Sequence, residues 1–371
     1  MDQGTFLISP SPQPFEGDAG GSLIGSRYRL LRQLGRGGMG EVFEAEHVAL
    51  KKRVVVKLLH ARHGHQPQLL DRMRVEAQAL ALVRHPNLVE VSDFGHTSDG
   101  RAFFVMERLY GRTLREELEA RGALPPSEAI GLARQLLAGL GAAHGAGIVH
   151  RDVKLDNIFL CDPPGPTFNG AGIETNRTKE PGQNAKRTLK LLDFGLAKVV
   201  VAGRPAQPLT PLAIPTDEGV MLGTPRFFSP EQALGRPVDA RADIYSTGAL
   251  LYAIVAGRAP FDHYTALYEL AQAHAAEAPE PPSRYAKQPI PPELERAILK
   301  ALEKRPEDRF QTAAELAMAL ERAVVPPRVA APGTIRSERP VLLILVFILT
   351  ALVSALVFGA VTTALLLYTS R

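Results

Sequence analysis

Cysteine is nearly absent from this 371-residue chain: Cys161 stands alone, so no disulfide can form within it. That fits a reducing compartment and excludes a disulfide-stapled scaffold. A dominant charge is lacking too. Lys and Arg number 43 against 39 Asp and Glu, a net charge of +4. So small an excess gives no electrostatic case for nucleic acid, and no nucleic-acid partner is expected. The first residues, "MDQGTFLISPSPQPFEGDAGG", hold no basic stretch followed by an apolar core, so they read as a leader rather than a targeting signal. No segment recurs at a fixed period, which excludes a repeat array. Finally, no charged residue stands between Arg339 and Arg371.

What is present divides into parts. Residues 1–27, rich in Pro, Gly and Ser, read as a disordered leader. From Tyr28 the runs "YRLLRQLG", "GEVFEAEHV", "KKRVVVKLL", "LVEVSDFGH" and "AFFVMERL" have the β-branched and aromatic character of strands. One helical stretch, "LLDRMRVEAQALALV", interrupts them. After Leu109 helical patterns dominate, from "SEAIGLARQLLAGLGAAHGAG" to "TAAELAMALERAV". A strand-rich front and a helix-rich back predict an α+β chain of two lobes, residues 28–108 and 109–323. Residues 161–188, dense in Pro, Gly and Asn, read as a long mobile insertion, with a partner-binding loop as the alternative. Residues 324–340 read as a linker whose roughly 15 residues span at most about 50 Å.

The front lobe carries Gly35-x-Gly37-x-x-Gly40-x-Val42. That pattern has two competing meanings, besides a glycine-rich turn with no ligand. In a dinucleotide-binding domain the third glycine opens a helix. In the other, a glycine flap between two strands lies over phosphates, because glycine lets backbone N–H groups approach an anion. "EVFEAEHVALKKRVVVKLL" alternates like a hairpin, which favours the flap. Lys57, within an apolar strand, needs a partner if buried. Glu76, in the helical stretch, is the candidate carboxylate, and a solvated helix residue is its plain alternative.

"IVHRDVKLDNIFL" followed by "LKLLDFGLAK" decides among these. His150-Arg151-Asp152 with Asn157, then Asp193-Phe194-Gly195, form a protein-kinase signature set. The chain resembles the bacterial members of the eukaryotic-like (Hanks-type) serine/threonine protein kinases, from about Tyr28 to Ala323. The resemblance implies a two-lobed kinase fold that uses ATP with Mg²⁺, or Mn²⁺ in its place, and phosphorylates Ser and Thr of proteins. It implies Asp152 as catalytic base with Lys154 beside the γ-phosphate, and Asn157 and Asp193 as metal ligands. Leu34, Gly35, Gly37, Gly40, Val42, Lys57, Glu76, Met106, Glu107 and Leu109 would form the ATP site, with Met106 as gatekeeper. Asp243 and the pair Arg309–Glu231 would be scaffold. Thr216 is the first candidate for activation-segment phosphorylation and Thr210 the second, while Thr224 would belong to the substrate-docking loop. Val55 departs from the family's alanine, and "SPE" replaces A-P-E. A reading from another class is a kinase-fold adaptor that binds nucleotide without turnover.

The uncharged tail completes the picture. Residues 341–368 exceed the roughly 20 apolar residues that cross a hydrocarbon core, so a single transmembrane helix is expected. Arg328, Arg336 and Arg339 precede it and only Arg371 follows, which places the kinase in the cytoplasm and residues 369–371 outside. Ala351, Ala355, Gly359 and Thr363 form a small-residue stripe that could pair two such helices into a homodimer.

Overall fold

The computed structural model describes residues 23–37, 40–60, 74, 78, 81–163, 187–193, 225–324 and 339–369. Glu76, Phe194, Gly195, Thr210, Thr216 and Thr224 lie outside these residues, as do residues 164–186 of the expected insertion. The chain divides into two compact units, residues 1–324 and 325–371.

The first unit opens with an antiparallel sheet of six strands in the order β1-β2-β3-β4-β6-β5. Its strands are β1 (Leu23–Ile24), β2 (Tyr28–Gly37), β3 (Gly40–His47), β4 (Lys52–Leu59), β5 (Val91–His96) and β6 (Ala102–Glu107). Strand periodicity sorts the side chains between its faces. Val54, Val56 and Leu58 join Phe43, Ala45, Phe103 and Val105 in one apolar core. Lys57, between them in sequence, falls on the other face. Arg74, Gln78, Ala81 and Leu82 are helical, as expected of their segment.

The expected leader through residue 27 ends early. Leu23 and Ile24 pair with Arg29 and Tyr28, and Ile24 is buried in the sheet core. The turn between β1 and β2 brings Gly25 against the Phe103 ring, where a Cβ would lie 2.8 Å from the ring at a φ of +54°. Two residues are too short for a strand pattern to register, which is why composition alone assigned them to the leader.

The rest of the first unit is mainly helical: α1 (Leu114–Arg121), α2 (Pro126–Gly145), α3 (Pro230–Ala233), α4 (Ala240–Ala256), α5 (Leu267–Ala276), α6 (Pro292–Ala301) and α7 (Ala313–Val324). α4 is buried from Ala242 to Ala256, so it is apolar nearly all round and serves as the axis of the lobe. It is capped by the Asp239 carboxylate at its start and by Gly257, at φ +74°, at its end. A second sheet, β7 (Gly111–Thr113), β8 (Ile158–Cys161) and β9 (Thr188–Leu191), was not expected in the helical back. Its strands of three or four residues carry no periodic signal, and residues 162–187 separate the two that form its hairpin. Cys161 and Thr188, at the ends of the expected insertion, are direct cross-strand partners. The insertion therefore leaves and re-enters the fold at one point.

Two buried polar groups fix the helices. Arg309 makes a bidentate pair with Glu231, both bonds 2.8 Å, and donates to the carbonyls of Glu303, Arg241 and Lys304. His274 on α5 meets the Tyr245 hydroxyl at 3.0 Å. Burial, with the Lys304 ammonium nearby, pushes its imidazole down from 6.5 to about 3.

In the second unit α8 runs from Arg339 to Thr369. The side chains described in it are those of residues 348–363, all exposed. Among the described residues no helix is long and apolar enough to cross a membrane, so the expected span is not met there.

Removing one member of a buried, fully bonded ion pair strands its partner. Arg309→Met should therefore cost about 3–5 kcal/mol in denaturant unfolding. His274 gives the pH dependence. The unfolded chain takes up a proton near pH 6.5 that the folded imidazole refuses until about 3. Stability should then fall as pH drops from 7 toward 5, at up to about 1.4 kcal/mol per unit from this group. His274→Gln should flatten that slope in melts across this range.

Candidate active site

The cleft face of the sheet is assembled by register. Val42 lies opposite Lys57 across β3 and β4, and Val55 and Lys57 lie opposite Met106 and Phe104 across β4 and β6. These residues share one face because directly paired side chains point the same way. Gly35, opposite Val42, and Gly37, opposite Gly40, close the β2–β3 hairpin, and no helix follows. A Cβ on Gly40 would sit 2.3 Å from the Leu58 carbonyl oxygen, so strand packing alone requires that glycine. Leu34 is half-buried on β2.

Lys57 is 4% exposed, and its Nζ lies 2.8 Å from Asp193 Oδ1. That bond ties the front sheet to the segment following β9. On the floor of the cleft, Asn157 Nδ2 donates to the Asp152 carbonyl at 2.7 Å and to its Oδ2 at 2.9 Å. Lys154 Nζ stands 3.0 Å from the same Oδ2. Asp152, Lys154 and Asn157 thus form one polar group and Lys57 with Asp193 a second, the two joined through backbone where the Leu192 N–H donates to the Asn157 carbonyl at 2.8 Å. Arg115 of α1 pairs with Asp156, Nη2 to Oδ2 at 2.7 Å, and fastens the loop from the side.

The loop itself is strained. Arg151 has φ +63° and Asp193 φ +39°, in the region that residues other than glycine rarely adopt. Such conformations cost of order 1–3 kcal/mol each and persist only where neighbours dictate them. For Arg151 the dictating group is Asp243, fully buried in α4. Its Oδ2 accepts from the His150 N–H and from His144 Nε2, both at 2.8 Å, and its Oδ1 from the Arg151 N–H at 2.7 Å. Burial pushes the Asp243 carboxyl up, but these donors outweigh it and hold the group below the usual carboxylate range. Burial also pushes the His150 imidazole down. Its Nδ1 accepts from the Asp152 N–H, so the neutral ring carries its proton on Nε2 and donates to the Leu192 carbonyl at 2.9 Å.

At the end of β6, Glu107 spends its N–H on the Glu90 carbonyl, so its own carbonyl is what it can offer a base edge. The Leu109 carbonyl accepts from the Arg108 guanidinium. Sequence reasoning missed several supports. Gln232 donates to the Arg151 carbonyl at 2.7 Å while closing a capping box with Ser229. The S-x-x-Q spacing at Ser229 was a usable signal for it. His144 had none, because its partner lies 99 positions away. Lys190, which reaches Glu107, likewise had no local signal.

The donor set suits a hard cation. With Asn157 Nδ2 committed to Asp152, its Oδ1 is left as an acceptor, and Asp193 supplies a carboxylate. Among the described residues no group of three or more His, Cys, Asp or Glu could hold a metal. Two oxygen donors, completed by phosphate and water, are what Mg²⁺ ordinarily accepts beside a nucleotide.

This geometry, a paired lysine under a glycine hairpin above an Asp–Lys–Asn loop, defines a phosphotransferase cleft. The chain belongs to the protein kinase family: residues 28–320 match the protein kinase domain. Within that family the curated proteins it resembles are serine/threonine protein kinases. It is 38% identical over 305 residues to serine/threonine-protein kinase Pkn1 of Myxococcus xanthus, covering 81% of this chain and 39% of that protein. It is 36% identical over 296 residues to serine/threonine-protein kinase PknB of Mycobacterium leprae, covering 79% and 42%. The chain thus spans less than half the length of these curated relatives. The crystal structure of the Mycobacterium tuberculosis PknI kinase domain matches in fold, with a TM-score of 0.59 at 23% identity, over 83% of this chain and 99% of that one.

Asp243→Asn puts an amide NH₂ where one of three donors now points. Amide exchange at His150 and Arg151 should accelerate at least tenfold, with a stability loss of about 1–3 kcal/mol from the stranded donor. Unchanged exchange at both positions would show that the loop holds its shape without this carboxylate.

Proposed function

We propose that the chain is an active ATP- and Mg²⁺-dependent kinase that phosphorylates Ser and Thr hydroxyls of proteins, including its own activation segment at Thr216 or Thr210. The observation that carries this is the Lys57–Asp193 pair set beside the group of Asp152, Asn157 and Lys154, with Leu192, next to Asp193, bonded to the Asn157 carbonyl. Lys57 grips the α/β-phosphates, steadied by Glu76, while the hairpin of Gly35, Gly37 and Gly40 covers them. Leu34, Val42 and Met106 enclose the adenine, and Glu107 and Leu109 meet its edge through backbone groups. Asn157 and Asp193 would hold Mg²⁺, or Mn²⁺ in its place, which when bound would neutralise charge on the phosphates. Asp152 orients the substrate hydroxyl and takes its proton as the new O–P bond forms and the β,γ-bridge breaks. Lys154 steadies the γ-phosphate, and Thr224 helps dock the peptide.

The reading extends to a membrane tether. Its support is the 341–368 run, without a charge, within a helical backbone that continues from Arg339 to Thr369. The arginines before the run favour a single-pass cell-membrane protein with the kinase domain cytoplasmic and the C-terminus outside. The stripe of Ala351, Ala355, Gly359 and Thr363 would let two chains pair and phosphorylate each other's activation segment.

Incubated with Mg-ATP in detergent, the full chain should phosphorylate itself and a generic basic protein. Asp152→Asn should lower the rate by at least a hundredfold while leaving nucleotide binding in place. Nucleotide binding without transfer by the wild type would instead favour the adaptor reading. In membranes, replacing Ala355 and Gly359 with Leu should reduce activation-segment phosphorylation several-fold. Equal levels would remove the dimer from the scheme.

A further inference from the structure

Behind the connection that follows β6 lies a second cavity of about 350 Å³, within the size range of small-molecule sites. It shares no residue with the catalytic group. Val83, Leu88 and Val91 give it apolar walls, Arg84, His85 and Glu90 line it with polar groups, and Lys190 enters from β9.

The polar lining is biased toward donors. Lys190 Nζ bonds the Leu88 carbonyl at 3.1 Å and Glu107 Oε1 at 2.5 Å, which uses two of its three donor positions. His85 is held neutral by burial and by the Lys190 charge. Its Nδ1 accepts from the Asn87 N–H at 3.1 Å, so its remaining nitrogen carries a proton and is a donor. Arg84 is exposed at the rim. Glu90 is the one carboxylate of the lining and is likewise exposed. With Lys190 paired to Glu107, the lining itself adds the exposed Arg84 guanidinium and the His85 donor against the solvated Glu90 carboxylate.

The lining is also wired to the cleft. Glu107 Oε1 accepts from both Lys190 and the Glu90 N–H, the latter at 2.8 Å, and the Glu107 N–H returns to the Glu90 carbonyl at 3.1 Å. The 87–89 segment is zipped to β9 by bonds between Leu191 N–H and the Asn87 carbonyl and between Val89 N–H and the Leu191 carbonyl. β9 then leads to Asp193. Whatever draws Lys190 away from Glu107 loosens the residue that opens the adenine-facing connection.

We infer that this cavity is a binding site for a small carboxylate with an apolar body, its anion held between Lys190 and Arg84 and its body against Val83, Leu88 and Val91. Occupancy competes with Glu107 for Lys190 and weakens nucleotide binding on the opposite side of the connection. This coupling rests on the proposed adenine contacts of Glu107 and Leu109, whereas the carboxylate site does not.

Benzoate is the probe, with benzyl alcohol as its uncharged counterpart, each titrated against the full chain in detergent by ligand-observed NMR. Benzoate should bind at least fivefold more tightly than benzyl alcohol. Arg84→Ala, a change at an exposed rim, should weaken benzoate at least fivefold, and Lys190→Met should do the same. Saturating benzoate should weaken Mg-ADP about threefold, and Mg-ADP should weaken benzoate by the same factor, as linkage requires. Equal benzoate affinity in wild type and Arg84→Ala, or no benzoate binding at all, overturns the site. Benzoate binding with Mg-ADP affinity unchanged overturns the coupling. If the chain binds benzoate as described but takes up no nucleotide, the kinase reading fails and the carboxylate site stands.

Discussion

One buried carboxylate sets the active geometry. Asp243 sits inside an apolar helix, where an unpaired charge would cost several kcal/mol, yet its full burial is offset by three donors that it in turn holds in place. Two of those donors are successive backbone N–H groups of the loop that presents Asp152. Bonding both to one carboxylate forces the chain through the left-handed conformation of Arg151. Everything downstream inherits that turn: the position of Asp152, its bonds to Asn157 and Lys154, and the alignment of the His150 ring on the Leu192 carbonyl next to Asp193. The axis of the helical lobe thus doubles as the mould for the loop that carries Asp152.

The two lobes meet through charge at the cleft and through backbone at the rear. At the front, Lys57 reaches Asp193 from the cleft face of a strand whose other face is packed with Val54, Val56 and Leu58. At the back, the 87–89 segment adds itself to β9, and Lys190 ties that strand to Glu107. The residues that bear the proposed chemistry are therefore fixed by elements packed for apolar reasons. The strain they carry is maintained by groups that never meet substrate.

Most of this could be read in the chain beforehand, and what could not shares a physical cause. Strands of six to ten residues and helices of ten or more announce themselves by period, and the signature residues announce the site by order and spacing. Leu23–Ile24 and the three strands of the second sheet were missed because two to four residues hold less than a useful period. His144, Gln232 and Lys190 were missed, with only Gln232 leaving a trace, because their roles are defined by partners tens of positions away. Gly40 illustrates a subtler limit. Sequence assigned it to phosphate approach, whereas the nearest constraint is the Leu58 carbonyl of the neighbouring strand. The two demands coincide on one residue, so the motif could be recognised without revealing which of them a side chain would violate first.

The pairing of Cys161 with Thr188 has a consequence for how this chain can vary. A hairpin that clamps both ends of a segment separates that segment's length from the register of everything around it. The entropic cost of closing such a loop grows only logarithmically, about 0.6 kcal/mol for each doubling. Residues can therefore be gained or lost between these two positions at small thermodynamic cost while Asn157, ahead of β8, and Asp193, beyond β9, keep their separation. The fold tolerates growth in the stretch of sequence that divides Asn157 from Asp193, which makes that stretch the natural place for relatives of this chain to diverge.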